Sequence, residues 1–196
     1  MRRALLGLLT GALLLAAIAG VHRAMPDITR RYAPIATDGE IGREVDTTAF
    51  RLRVDRMQVA RTVRFTDDLN LPGPARTTRG VWVVVWATAA ATTEALQLQG
   101  ARLVTADGSA YLAASLRDTL DKADLQPGIP AYGALLFEIP ADRLAGARLA
   151  VTPHSVAGLD LLGPAADIDL GLSDAYAARL LREIPPSLTL REVRTL

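Results

Sequence analysis

From Thr47 onward, apolar and polar residues alternate with a period of two. Phe50, Leu52 and Val54 alternate with Arg51, Arg53 and Asp55, which predicts a half-buried strand. The phase then slips, and Met57, Val59, Val63 and Phe65 carry the apolar face on odd numbers. A slip between Asp55 and Met57 predicts a bulge, or a bend between two strands. Arg51, Arg53, Arg56, Arg61 and Arg64 fall on the polar side. They read as a basic binding stripe or, as is usual for arginines on the wet face of an antiparallel strand, as a solvated one.

After the Pro/Gly-rich turn at residues 69–80 comes the strongest strand signal, GVWVVVWATAAATTEALQLQG. Its odd positions Val81, Val83, Val85, Ala87, Ala89 and Ala91 make a continuous apolar face suited to a core. Its even positions Trp82, Val84, Trp86, Thr88, Ala90 and Thr92 turn polar along the strand, as an outward face should. Leu96, Leu98, Leu103 and Val104 predict a strand pair around Gly100, and Tyr111 and Leu112 a short strand after an Ala-Asp-Gly-Ser turn. The polar residues 115–124 predict a loop or a short helix. Further strands are expected at 132–139, 147–152 and 167–170. Ser173 is placed to cap a helix over 174–184 with Tyr176, Leu180, Leu181 and Ile184 on one face; Pro185-Pro186 stops it, and an extended tail follows. Seven to nine short strands without strand–helix alternation predict an all-β sandwich.

The N-terminus obeys a different pattern. After Arg2 and Arg3, the eighteen residues 4–21 contain no charge. As a helix rising 1.5 Å per residue, such a run spans the ~30 Å hydrocarbon core of a bilayer. We read it as an uncleaved anchor with the chain after Arg23 outside. Ala17-Ile18-Ala19 is a small-x-small pattern, so the alternative is a signal peptide cleaved near Ala19 and a secreted protein. Segments 1–21, 22–46, 47–172 and 173–196 then read as anchor or signal, juxtamembrane linker, sandwich, and C-terminal helix with tail.

Composition narrows the chemistry. Basic and acidic residues number 22 and 21, which leaves no electrostatic footprint for nucleic acid. The absence of cysteine removes thiol nucleophiles, thiolate metal sites and disulfides. Of the two histidines, His22 abuts the apolar run and His154 stands alone in a Thr-Pro-His-Ser turn, so a histidine metal cluster or a catalytic triad is not expected. Asp118, Asp121 and Asp124, with Asp107 nearby, are spaced to line carboxylates for a hard cation but lack the order of a dedicated calcium loop. Asp67-Asp68 and the pair Asp167/Asp169 read as wet positions rather than as a hydrolase dyad. No cofactor, metal or catalytic residue is expected.

Residues 80–85 (Gly-x-aromatic-Val-Val-Val), 104–111 (Val-Thr-Ala-Asp-Gly-Ser-Ala-Tyr) and 125–140 (Leu-Gln-Pro-Gly-x-Pro-x-x-Gly-x-Leu-x-Phe-Glu-Ile-Pro) follow one another in a distinctive order. In this order the chain resembles the immunoglobulin-like domains of exported bacterial proteins of unknown function related to the secreted immunogenic antigens, which sometimes carry a telomeric repeat-binding label. The resemblance covers about residues 47–152. Where that family often has Asn near the end of the first strand, this chain has Ala91-Thr92. It implies an extracytoplasmic immunoglobulin-like β-sandwich of interaction type and brings no catalytic residues.

The expectation is a non-catalytic, membrane-tethered module held in the bilayer by residues 4–21 and binding another cell-envelope protein. A secreted small-molecule or metal-binding sandwich is the alternative, and an enzyme a distant third. Trp82, Val84 and Trp86 are the candidate partner-binding residues if the indoles are uncovered. The other arrangement has both covered by the helix face of Tyr176, Leu180 and Leu181.

Overall fold

The computed structural model describes residues 34–66, 71–114, 116, 118–153 and 162–196, together with Gly11, Leu14 and Gly20. Among them no helix is long and apolar enough to cross a membrane. The apolar run 4–21 lies outside the described residues apart from those three positions, as do Asp67, Asp68 and His154.

Eleven strands are described: β1 (Ile35–Glu40), β2 (Glu44–Asp46), β3 (Phe50–Thr66), β4 (Arg76–Ala91), β5 (Arg102–Val104), β6 (Ala110–Leu112), β7 (Ala131–Ile139), β8 (Arg148–Val151), β9 (Pro164–Asp169), β10 (Ser187–Arg191) and β11 (Arg194–Thr195), with one helix, α1 (Asp174–Arg182). They form a β-sandwich. One sheet runs β1-β9-β8-β5-β6; the other runs β10-β3-β4-β7-β11, with β2 added along β3.

The segment 22–46, expected as a linker, is corrected from Ile35 onward. β1 pairs parallel with β9, and β2 pairs antiparallel with Glu44 opposite Arg53. What secures β1 is charge as well as ladder. Arg148 on β8 reaches Asp167 (2.8 Å), Asp38 on β1 (3.5 Å) and Asp169 (3.7 Å), so one guanidinium ties three strands on the wet face of their sheet. Nothing in the alternation of 35–46 announces this, because most of its side chains are exposed.

The main core fills the space between the sheets. Val81, Val83, Val85, Ala87, Ala89 and Ala91 from β4 meet Leu135, Phe137 and Ile139 from β7, and Leu103, Leu149 and Ile168 from the opposite sheet. The odd-numbered face of β4 is therefore the core face, as the alternation predicts. Gly80 sits within this strand where it passes close to its neighbour: a Cβ there would collide with the carbonyl oxygen of Ile139. Gly108 (φ +83°) and Gly128 (φ +72°) take the left-handed turn conformations expected of them. Ser173 caps α1 by accepting a hydrogen bond from the Tyr176 amide (3.3 Å), and Tyr176, Leu180, Leu181 and Ile184 pack on the main core.

β3 is a single strand of 17 residues with two irregularities. The first, between Val54 and Arg56, is the predicted slip. There Asp55 accepts hydrogen bonds from Arg53 Nε (2.8 Å) and Thr88 Oγ1 (3.0 Å). The second, between Ala60 and Thr62, was not expected, and it corrects the reading of Val63 and Phe65. A shift of one residue sends odd positions to the opposite face. Met57 and Val59 point into the main core, whereas Val63 and Phe65 join a second apolar cluster outside the six-stranded sheet.

The tail explains how that outer cluster is covered. β10 pairs parallel with the end of β3, Leu188 opposite Val63, and β11 pairs with β7, Arg194 opposite Tyr132. In a flat sheet these outer strands would stand about 19 Å apart, at ~4.8 Å per strand. Three residue steps from Arg191 to Arg194 reach only about 10 Å. The sheet must curl, bringing β10 over its own outer face.

Candidate functional site

Trp82, Val84 and Trp86 do lie on the outer face, but they are buried: the indoles are 6% and 7% exposed and Val84 is fully covered. The cover is not the α1 face, which packs on the main core. Leu190, Val63 and Ala60 close over the pair together with the partly buried Phe65, Leu188, Ala114 and Leu116. Trp82 Nε1 donates to the Arg76 carbonyl oxygen (3.1 Å), so its polar end is satisfied within the chain. An uncovered tryptophan face is thus not present, and the correction extends to both arrangements considered for it.

At the rim of this cluster the cover gives way to a cleft of about 270 Å³ between β3, β4, β7 and the tail. Two cation–π pairs build it. Arg56 stands opposite Trp86 across the β3–β4 ladder, its guanidinium carbon 4.6 Å from the ring centroid. Arg194 stands opposite Tyr132 across the β7–β11 ladder at 5.1 Å. Trp86 faces Ala134 in the β4–β7 register, which makes Tyr132 its diagonal neighbour on the same face. Arg191 and Glu192 line the remaining side. The first slip of β3 is what sets Arg56 opposite Trp86, so a bulge positions the cation.

The three arginines are exposed. Among the described residues no carboxylate lies within ion-pair distance of Arg56, Arg191 or Arg194, whereas Arg43, Arg53, Arg143 and Arg148 each have one. A guanidinium stacked on a ring keeps its N–H edge directed outward and available to an acceptor. The sequence signals were Arg56 and the two aromatics, but no spacing links them to Arg191 and Arg194. Their meeting depends on the curl of the sheet.

The aspartates weighed above as a cation site, Asp107, Asp118, Asp121 and Asp124, do not come together among the described residues. Asp107 pairs with Arg143 and accepts from Thr105 Oγ1 (2.5 Å), and Asp124 accepts from Gln97 Nε2 (2.5 Å). Asp121 is buried in a short 3-10 turn, with Oδ1 lacking a hydrogen-bond partner. Burial pushes its carboxyl above the ordinary range, while the nearby Thr119 hydroxyl and Lys122 ammonium pull the other way. Among the described residues no three His, Cys, Asp or Glu side chains come together as a metal cage. Asp167 and Asp169 serve Arg148.

A larger open groove of about 930 Å³ runs along the turn between β1 and β2. Part of its charge is paired within the chain, Arg43 with Glu40 (2.8 Å) and Arg148 with Asp38 and Asp169, while Glu44 and Asp46, which also line it, have no ion pair among the described residues. Of the two depressions, the arginine-lined cleft is the one whose excess charge is positive among the described residues.

No family model matches the chain, and no curated protein matches it in sequence. Among solved structures it is similar to the yjhA protein from Bacillus subtilis, with a TM-score of 0.48 and 13% identity, over 67% of this chain and 99% of that one. It is also similar to an uncharacterized β-sandwich protein from Clostridium difficile 630, with a TM-score of 0.46 and 11% identity, over 68% of this chain and 94% of that one.

Proposed function

We propose that this chain is a membrane-tethered, extracytoplasmic, non-catalytic module of immunoglobulin-like type that works by binding, its partner another protein of the cell envelope. The tether is the uncharged run 4–21 behind Arg2 and Arg3, long enough for one bilayer crossing. The observation that carries the binding reading is the rim cleft. Two guanidiniums stacked on aromatic rings beside a third form a fixed cationic surface, and arginine with aromatic residues is the composition favoured at recognition hot spots. Trp82 and Val84 contribute by supporting this surface from beneath, and Trp86 as the ring under Arg56.

Fractionation with crosslinking tests the proposal. The intact chain should stay in the membrane pellet after alkaline washing with Met1 or Arg2 at its N-terminus. Crosslinking in intact cells, followed by gentle solubilisation, should join it to a discrete envelope protein, and this adduct should be lost in an Arg56→Gln/Arg194→Gln variant. A soluble form beginning near Gly20 would overturn the tether and establish the secreted alternative, which the Ala17-Ile18-Ala19 pattern favours. An adduct unchanged in the double variant would remove the cleft from the partner surface.

A further inference from the structure

We infer that the rim cleft is a binding site for a phosphate group. Its geometry is that of an anion receptor. Arg56 and Arg194 are each fixed by a ring directly opposite them in the ladder, at 4.6 and 5.1 Å, and Arg191 ends β10 on the facing side. Stacking restrains the guanidinium planes before any ligand arrives, so less rotamer freedom is lost on binding. Their N–H edges suit the paired oxygens of a phosphate, which guanidinium engages through two parallel hydrogen bonds.

Charge points the same way. The cleft sets three guanidiniums against one carboxylate among its described lining residues, Glu192. A phosphate monoester carries about −1.5 to −2 at neutral pH and offsets more of this positive charge than a singly charged carboxylate does.

Phosphate of this kind, a monoester, has two sources, a soluble phosphate ester and the headgroup of phosphatidic acid, and the same residues would engage either. The site goes beyond the protein-binding reading and needs neither the tether nor a protein partner.

The test uses the full chain in nanodiscs of neutral phosphatidylcholine, read by tryptophan emission, since Trp86 lies beneath Arg56. Glycerol 3-phosphate is titrated at constant ionic strength, with chloride as the balancing anion. In a second arm, part of the phosphatidylcholine is replaced by phosphatidic acid, whose headgroup is a phosphate monoester, without soluble phosphate. A saturable emission change with glycerol 3-phosphate, weakened at least tenfold in Arg56→Gln/Arg194→Gln, supports the site with a soluble ester as source. A change only in phosphatidic acid discs, lost in the same variant, supports it with the lipid headgroup as source. Arg191→Gln disturbs neither stacked pair and should weaken the response several-fold, so it serves if the double variant does not fold. No response beyond chloride in either arm, or responses equal in wild type and variants, would overturn the site.

Discussion

The core between the sheets and the smaller cluster outside the six-stranded sheet are both dry at their centres, but they are assembled differently. The inner core is made of strand faces that each show their apolar side in their own sequence: Val81, Val83 and Val85 on one strand, Leu135, Phe137 and Ile139 on its neighbour. The outer cluster takes one face of that same sheet and closes it with the far ends of other elements, Val63 past the second slip of β3 and Leu190 from the tail. One is a property of strands. The other is a property of how a sheet curls. The difference matters for function, because a face that looks like an interaction surface in the strand is already occupied by the chain itself, and the accessible chemistry moves to its rim.

The sharpest way to break the contrast is to cut a large side chain out of each cluster. Phe137→Ala removes a fully buried ring from the inner core and should cost about 3–5 kcal/mol in urea unfolding. Leu190→Ala, in the thinner outer cluster, should cost about 2 kcal/mol, at the low end for such truncations because the tail can settle into the space. It should also red-shift tryptophan emission, since both indoles lie beneath that cover. Phe137→Ala should leave native emission unshifted below its transition. Equal emission shifts in the two variants would mean that the clusters are not separate.

How far the sequence was legible follows this division. The sandwich class, the core face of β4, the first slip of β3, the Ser173 cap and the extended tail were readable because each rests on a local period or a local turn residue. The place of β1 was not, since its order comes from pairing with β9 and from Arg148, a residue more than a hundred positions away. The covering of Trp82 and Trp86 was not, because it needs the second slip and the parallel pairing of β10. The cleft failed for the same reason: Arg56 and Trp86 meet only in the shifted register, and Arg194 joins them only once the tail has crossed.

Smaller changes sharpen the picture at its edges. Ser173→Ala removes the α1 cap from over the inner core and should cost about 1 kcal/mol, measured as a fall in Tm. Asp121→Asn should alter the pH dependence more than stability at any one pH. The native carboxyl is raised by burial, so the folded state holds its proton at pH values where the unfolded state, near 3.8, has lost it. Wild-type stability should therefore rise relative to the Asn variant as pH falls from neutral toward that unfolded value, and level off below it. An opposite slope in paired urea titrations would show that the neighbouring Thr119 hydroxyl and Lys122 ammonium outweigh burial at this position.

The most direct test of the account is acrylamide quenching of tryptophan fluorescence in the full chain. With Trp82 and Trp86 at 6% and 7% exposure beneath the curled tail, both indoles should be weakly quenched, and quenching should increase in Leu190→Ala. Strong quenching in the wild type, close to that of free indole and unchanged by Leu190→Ala, would contradict the covered outer face and return the tryptophans to the surface.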